Sequence, residues 1–105
     1  MKRKIYIAGK VTGELLAECT MKFGTAQKQI EKMGHEAINP LAVVGSWDTE
    51  WQTAMRLCLK AILDCDAIYL IGDWFNSRGA VIELQLAQDL GIQVIIDTDE
   101  LEQIK

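Results

Sequence analysis

Four short apolar runs, rich in β-branched and aromatic residues, alternate along the chain with longer segments of helical periodicity. The runs cover residues 4–9, 35–40, 66–72 and 92–97. The third and fourth are apolar almost throughout, which is typical of strands that are covered on both faces of a parallel sheet. Because parallel neighbours need a crossover connection, the alternation predicts an α/β fold with a doubly wound parallel sheet.

Three helices are predicted between these strands, over residues 14–33, over residues 48–63, and from Ser77 to a stop at Gly91. Gly34 is a plausible glycine after the first helix, and Asp48 is a candidate cap of the second. The segment 40–48 is predicted as a loop, and 99–105 as a final turn or short helix. We expect a flavodoxin-like or Rossmann-like single domain over residues 1–105, with strand order 2-1-3-4 and helices on both faces.

This strand order predicts where a ligand binds. In open α/β sheets, ligands bind beyond the carboxyl ends of the strands, at the point where the winding reverses. Here the reversal falls between the first and third strands, which are followed by residues 9–13 and 72–79. Both loops contain glycine, hydroxyl and charged side chains, so a small polar ligand is expected between them.

Glu83 occupies an unusual position on the third predicted helix. At about 100° per residue, Ala80, Leu86, Ala87 and Leu90 form one stripe, and Glu83 falls near its centre. A carboxylate in a core-facing stripe costs free energy unless it has a partner or a function. One interpretation is a structural carboxylate paired with a basic side chain such as Arg78 or Lys10. The other is a semi-buried nucleophile or base, whose pKa is set by the helix N-terminus and the apolar surroundings.

The start of the same helix, with Ser77, Arg78 and Gly79, also has two interpretations. A serine and a glycine there are explained by an N-cap and a tight turn alone. Exposed amides beside an arginine also make an anion site. Tyr6, in the first strand, is by its position more often a core residue than a catalytic one.

Aromatic residues and the single histidine have weaker signals. Trp47, Trp51 and Trp74 lie in or near the loops of the expected cleft, where they either pack or hold a nucleobase. His35 begins a strand far from this cleft and is expected to be structural. With one histidine and no closely spaced cysteine pair, no metal site is predicted.

Composition excludes several classes of partner. The net charge is −4, which argues against nonspecific binding to nucleic acid polymers. No apolar run approaches the ~20 residues of a membrane span, and the apolar start is too short for a signal peptide. Three cysteines are an odd number, as expected for reduced thiols in the cytoplasm.

The segments IYIAGKVTG, GHEAINPL and CDAIYLIGDWFNSRGAVIELQLAQDLGI together resemble the nucleoside 2-deoxyribosyltransferase-like superfamily. The resemblance covers residues 4–96 and is greatest to a small branch found in bacterial and phage genomes. Its most specific element is S-x-G-x-x-x-E, formed here by Ser77, Gly79 and Glu83. The resemblance implies that Glu83 is the nucleophile at C1′ of a 2-deoxyribose and that Tyr6 orients it. A serine at position 77 resembles the hydrolases of nucleoside 5′-monophosphates, in which it contacts phosphate.

Two positions depart from the superfamily pattern. Superfamily enzymes carry an aspartate on the helix before the third strand, which binds or protonates the leaving base, and the matching position falls near Cys58. Asp48 or Asp73 would have to replace it from the loops. The first loop contains Lys10 and Thr12 where the monophosphate hydrolases have an arginine. Nucleotide binding tolerates these changes better than catalysis does.

We therefore predict a nucleoside or nucleoside 5′-monophosphate N-glycosidase, or a 2-deoxyribosyltransferase, that needs no metal or organic cofactor. The predicted catalytic residues are Glu83 and Tyr6. The predicted substrate-binding residues are Gly9, Lys10, Thr12, Asp73, Trp74, Ser77, Arg78 and Gly79.

Two other classes of protein remain open: a noncatalytic sensor or sequestering protein for nucleotides or ADP-ribose-like ligands, and a structural or oligomerising flavodoxin-like domain. FMN binding is not expected, because the first loop is not rich in serine and threonine. The resemblance also implies a homodimer or homotetramer, in which a neighbouring chain covers part of the cleft.

Overall fold

The computed structural model of the protein describes residues 2–104. Its strands are β1 (Lys4–Ala8), β2 (Glu36–Ile38), β3 (Ala67–Leu70) and β4 (Gln93–Ile95). Its α-helices are α1 (Leu16–Lys32), α2 (Pro40–Val44), α3 (Trp51–Ile62), α4 (Arg78–Asp89) and α5 (Thr98–Glu102), and a 3₁₀ turn covers Trp74–Asn76. No helix within residues 2–104 is both long and apolar enough to cross a membrane.

The strands form one parallel sheet in the order β2-β1-β3-β4, so the predicted order and the doubly wound fold are confirmed. In the central strand, Tyr6 is in register with Ile38 on one side and Ile68 on the other. Each strand ends one or two residues earlier than predicted.

Successive residues of β1 point to opposite faces of the sheet, because the side-chain period of a strand is two. Ile5 and Ile7 belong to a core formed with α1 and α5. Tyr6 and Ala8 belong to a second core, formed with α3 and α4. The sheet is therefore covered on both faces, as its apolar strands predict.

Helix α1 ends at Lys32 with Met33 as its C-cap residue, and Gly34 is the predicted glycine after the helix, with a φ of +84° in the left-handed region that favours glycine. The Gly34 amide donates to the Glu31 carbonyl and the His35 amide to the Ile30 carbonyl, at 2.9 Å and 3.2 Å. These bonds satisfy carbonyls that the end of the helix leaves without an internal partner.

Helix α2 lies in the segment that was predicted as a loop, so that prediction is wrong. Asn39 caps it by accepting a hydrogen bond from the Leu41 amide over 3.0 Å, and Pro40 occupies its first turn. Gly45 ends it in the left-handed region, with a φ of +81°. The helix has five residues, which is too short for a helical hydrophobic period to appear in the sequence.

The predicted cap of α3 at Asp48 is also wrong, because the helix begins at Trp51 and its N-cap residue is Glu50, without a side-chain cap bond. Asp48 instead lies in a turn, where its amide donates to Ser46 Oγ over 3.4 Å. Near the C-terminus, α5 fulfils the expectation of a short helix, and Lys105 lies outside the described residues.

Candidate active site

A buried hydrogen bond joins the central strand to α4. Tyr6 Oη donates to Glu83 Oε2 over 2.7 Å, although the two residues are 77 positions apart in the chain. Tyr6 is fully buried and Glu83 is 5% exposed. No hydrogen bond from residues 2–104 reaches the other carboxylate oxygen, Oε1. Tyr6 therefore fixes the direction of the carboxylate while one oxygen stays available to a ligand.

Burial raises the pKa of Glu83 to about 7, and the hydrogen bond from Tyr6 opposes this rise because it stabilises the charged form. Within residues 2–104 no ion pair joins Glu83 to Arg78 or Lys10, so the structure does not support the paired-carboxylate interpretation. A carboxyl group that titrates near neutral pH is suited to nucleophilic or acid–base chemistry. Burial and the charge of Glu83 raise the pKa of Tyr6 well above its usual value, which keeps its hydroxyl protonated as a donor.

Cys58 lies beside this pair, on the α3 side. Burial raises the pKa of its thiol to about 11, opposed by hydrogen bonding to Tyr6, so the group stays protonated at neutral pH. This is the part of α3 in which the resemblance implies an aspartate. The site therefore presents a weak thiol donor where a carboxylate was expected.

A cavity of about 960 Å³ opens over Glu83 at the carboxyl ends of β1 and β2. Its walls are the loop after β1, the first half of α1, α2 with the following loop, and the starts of α3 and α4. Trp47 and Trp51 are both in this wall. The volume is within the range of small-molecule sites, and the mixture of apolar, indole and hydroxyl groups is typical of them.

The start of α4 forms one end of the cavity. Ser77 Oγ accepts a hydrogen bond from the Ala80 amide over 3.1 Å, so Ser77 is the predicted N-cap. The amides of Arg78 and Gly79 have no carbonyl partner inside the helix, as is general for a first turn. A Cβ on Gly79 would lie 3.0 Å from Met55 Sδ, so a glycine here allows α3 and α4 to pack closely.

The model of the family described as "Domain of unknown function (DUF4406)" matches residues 3–96. The chain belongs to this family. No curated protein sequence matches it. A solved structure of 2-deoxyribosyltransferase from the psychrotolerant bacterium Bacillus psychrosaccharolyticus is similar, with a TM-score of 0.71 and 19% identity. The match covers 97% of this chain and 92% of that one. The two proteins share the doubly wound fold that the resemblance implies.

The structure of this DUF4406 chain brings most of the predicted site residues together. The cavity wall contains Gly9, Thr12, Ser77, Gly79 and Glu83, with Tyr6 directly behind Glu83. It does not contain Lys10, Asp73, Trp74 or Arg78. Asp48, the other candidate replacement for the missing aspartate, is also outside the wall.

Each of the four excluded residues has other contacts. The carbonyl of Lys10 accepts a hydrogen bond from Lys22 Nζ over 2.7 Å. The Arg78 guanidinium lies over the Trp51 ring, 4.7 Å from its centroid. Trp74 packs against the core under α4, and the carbonyl of Asp73, the residue before the 3₁₀ turn, accepts a hydrogen bond from the Asn76 amide over 2.9 Å.

Sequence reasoning missed the part of the wall that α2 and Met55 supply. The Asn-Pro pair at positions 39–40 was the available signal for α2, because Asn is a good cap and Pro is favoured in a first turn. Among residues 2–104, no three His, Cys, Asp or Glu side chains are close enough to hold a metal ion. His35 has a structural contact, in which its Nδ1 accepts from the Arg3 amide over 3.0 Å.

Proposed function

We propose that this DUF4406 protein cleaves the N-glycosidic bond of a nucleoside or its 5′-monophosphate, as an N-glycosidase or a 2-deoxyribosyltransferase. The supporting observation is Glu83, a buried carboxyl group with a pKa of about 7 in the wall of a large cavity, held by Tyr6. The fold shared with a 2-deoxyribosyltransferase is consistent with this chemistry.

In the proposed reaction, Glu83 Oε1 attacks C1′ while the bond from C1′ to the base nitrogen breaks and its electron pair leaves with the base. The product is a glycosyl ester on Glu83. Water then attacks C1′ while the bond from C1′ to Glu83 Oε1 breaks, which releases the sugar and restores the carboxylate; the proton that the water loses balances the one that the departed base takes up. In the transferase reaction, a second base attacks C1′ in place of water and forms a new nucleoside. The carboxylate also stabilises the positive charge that develops on the sugar ring. The scheme requires no metal or organic cofactor.

The positions of the wall residues suggest how the substrate would lie. The indoles of Trp47 and Trp51 offer flat apolar surfaces for a base. Ser77 and the first-turn amide of Gly79 lie on the α4 side, where they would contact the sugar. Tyr6 is a positioning residue, because it acts on the substrate through Glu83.

A second candidate function is a noncatalytic sensor or sequestering protein for nucleotides or ADP-ribose-like ligands. The observation that favours it is the thiol of Cys58 in place of an acid that would protonate the leaving base, with Asp48 and Asp73 both outside the cavity wall. Such a protein would bind its ligand in the same cavity and release no base.

The experiment that separates these functions is incubation with a library of nucleosides and nucleotides, followed by mass spectrometry of free base, exchanged base and bound ligand. Free or exchanged base that appears with the wild type and not with Glu83→Gln supports the proposed enzyme. Bound, intact ligand with both proteins supports the sensor. Base release at an equal rate by both proteins would contradict the role of Glu83.

We also propose that the protein is a cytoplasmic homodimer or homotetramer. The three cysteines are free and buried, which is consistent with a reducing compartment. Leu16, in the cavity wall, and its neighbour Leu15 are 51% and 67% exposed, and a second chain would bury them. Light scattering tests the oligomer, and a monomer of 11.8 kDa that still binds ligand would contradict it.

A further inference from the structure

The charged side chains that line the cavity are both carboxyl groups, and Lys22, the cation paired with one of them, lies outside the wall. Among the described residues of its wall, none is a lysine, arginine or histidine, whereas Glu14 and Glu83 both contribute carboxyl groups. A 5′-phosphate carries about two negative charges at neutral pH and is usually bound by cationic side chains. In this cavity a 5′-phosphate would lie near carboxyl groups, and no cationic side chain of the wall would bind it.

The first loop, one place for a phosphate in a fold of this kind, is occupied by a carboxylate. Glu14 lies at the end of this loop in the cavity wall, and its Oε1 accepts from Lys22 Nζ over 3.3 Å. Lys22 also donates to the Lys10 carbonyl, so its ammonium group already has two protein acceptors. The loop is thus held in place by a lysine that does not line the cavity.

Arg78, the residue predicted to hold a phosphate, is exposed and lies over the indole of Trp51. Trp51 is in the cavity wall and Arg78 is not. A guanidinium at 4.7 Å from a ring centroid makes a favourable cation–π contact and restricts the ring. This contact couples Arg78 to the surface on which a base would stack. At the start of α4, Ser77 Oγ already accepts a hydrogen bond from the Ala80 amide. Only the first-turn amides that have no partner in the helix remain to bind an anion.

From this charge distribution we infer that the cavity takes a nucleoside with a free 5′-hydroxyl in preference to a 5′-phosphate, and that Arg78 is a positioning residue for Trp51. The inference rests on the proposed function and names its substrate class.

The test is a competition between the common 2′-deoxynucleosides and their 5′-monophosphates, with base release measured separately for each. For the wild type we expect kcat/KM to be at least ~10-fold higher for the nucleoside, because a 5′-phosphate would lose hydration in a cavity whose wall offers no cationic side chain in exchange. Glu14→Gln should narrow this preference several-fold, since it removes a negative charge and keeps an acceptor for Lys22.

The Arg78 variants test the second half of the inference. Arg78→Ala should raise KM by the same factor for nucleoside and monophosphate and leave kcat unchanged, and Arg78→Lys should restore part of the loss. Unchanged KM values in Arg78→Ala would overturn the positioning role.

Two further outcomes distinguish a failure of this inference from a failure of the proposed function. A wild-type preference for monophosphates that is lost selectively in Arg78→Ala would overturn the inference and leave the proposed function intact. If neither class of compound is cleaved, and calorimetry shows that neither binds, the proposed function fails and the inference fails with it.

Discussion

The face of the sheet under α1 and α5 is a largely apolar core, whereas the face under α3 and α4 contains Tyr6 and Glu83. The first face buries Ile5, Ile7 and Ile30 completely. The second keeps a hydrogen-bonded carboxyl group beside a cavity of about 960 Å³. The same central strand supplies both faces through alternate residues.

This difference indicates that one face of the sheet mainly contributes stability and that the other contains the candidate site. Apolar burial contributes stability at about 25 cal/mol per Å² and depends little on pH. A buried carboxyl group costs stability whenever it is charged, so it persists where a function compensates for the cost. We therefore expect substitutions under α1 to change stability, and substitutions under α4 to change activity and its pH dependence.

The largest expected effect is on the apolar face. Ile30→Ala should lower the free energy of unfolding by about 2–5 kcal/mol, because it leaves a cavity in a fully buried site. Denaturant unfolding measures the loss. The protein that remains folded should keep its kcat, since α1 presents Ile30 to the side of the sheet away from Glu83. A fall in the kcat of the folded fraction would contradict the division between the faces.

The face under α3 and α4 should make the stability of the protein depend on pH, because it buries Glu83. The pKa of Glu83 is raised from 4.5 to about 7, so the unfolded chain loses this proton first. Wild-type stability should therefore fall, relative to Glu83→Gln, as pH rises from about 4.5 to 7. The difference between the two proteins should grow by about 3 kcal/mol across that window and then level off. Parallel stability curves would show that the burial of Glu83 has no such cost.

Tyr6→Phe should show how much the hydrogen bond from Tyr6 lowers the pKa of Glu83. The variant loses the donor that stabilises the carboxylate, so the pKa of Glu83 should rise further. Base release should require ionised Glu83, with an acidic limb near pH 7 in the wild type. In the variant that limb should move up by about one to two pH units, the equivalent of a hydrogen bond to a charged group. The control is Tyr69→Phe, on the opposite face, which should leave the limb unchanged.

The smallest effect compares two N-caps. Ser77 Oγ caps α4 by accepting a hydrogen bond from the Ala80 amide over 3.1 Å. Asp97 Oδ1 caps α5 by accepting one from the Glu100 amide over 2.8 Å. Ser77→Ala and Asp97→Ala should each lower the free energy of unfolding by about 1 kcal/mol. Only Ser77→Ala should also raise KM, because Ser77 is in the wall of the cavity over Glu83 and Asp97 is not. Equal KM values for the two variants would show that Ser77 does not contact the substrate.

The strand order, the two-sided core and the glycines that follow the helices could be predicted without the structure. The apolar runs and the glycines at positions 34 and 91 act through local preferences and through the rule that parallel strands need crossovers. The position of Glu83 in an apolar stripe was also visible, because helical periodicity places residues on a face whatever packs against it.

Tertiary structure decided which side chains enter the cavity. Lys10 and Arg78 were predicted in the site on loop position, yet Lys10 is outside the cavity wall and the Arg78 guanidinium lies over the Trp51 ring. Helix α2, with five residues, forms a wall that no periodic pattern announces. The physical reason is distance along the chain: the direction of a long side chain and the partner it meets depend on elements brought together by packing, which local sequence does not encode.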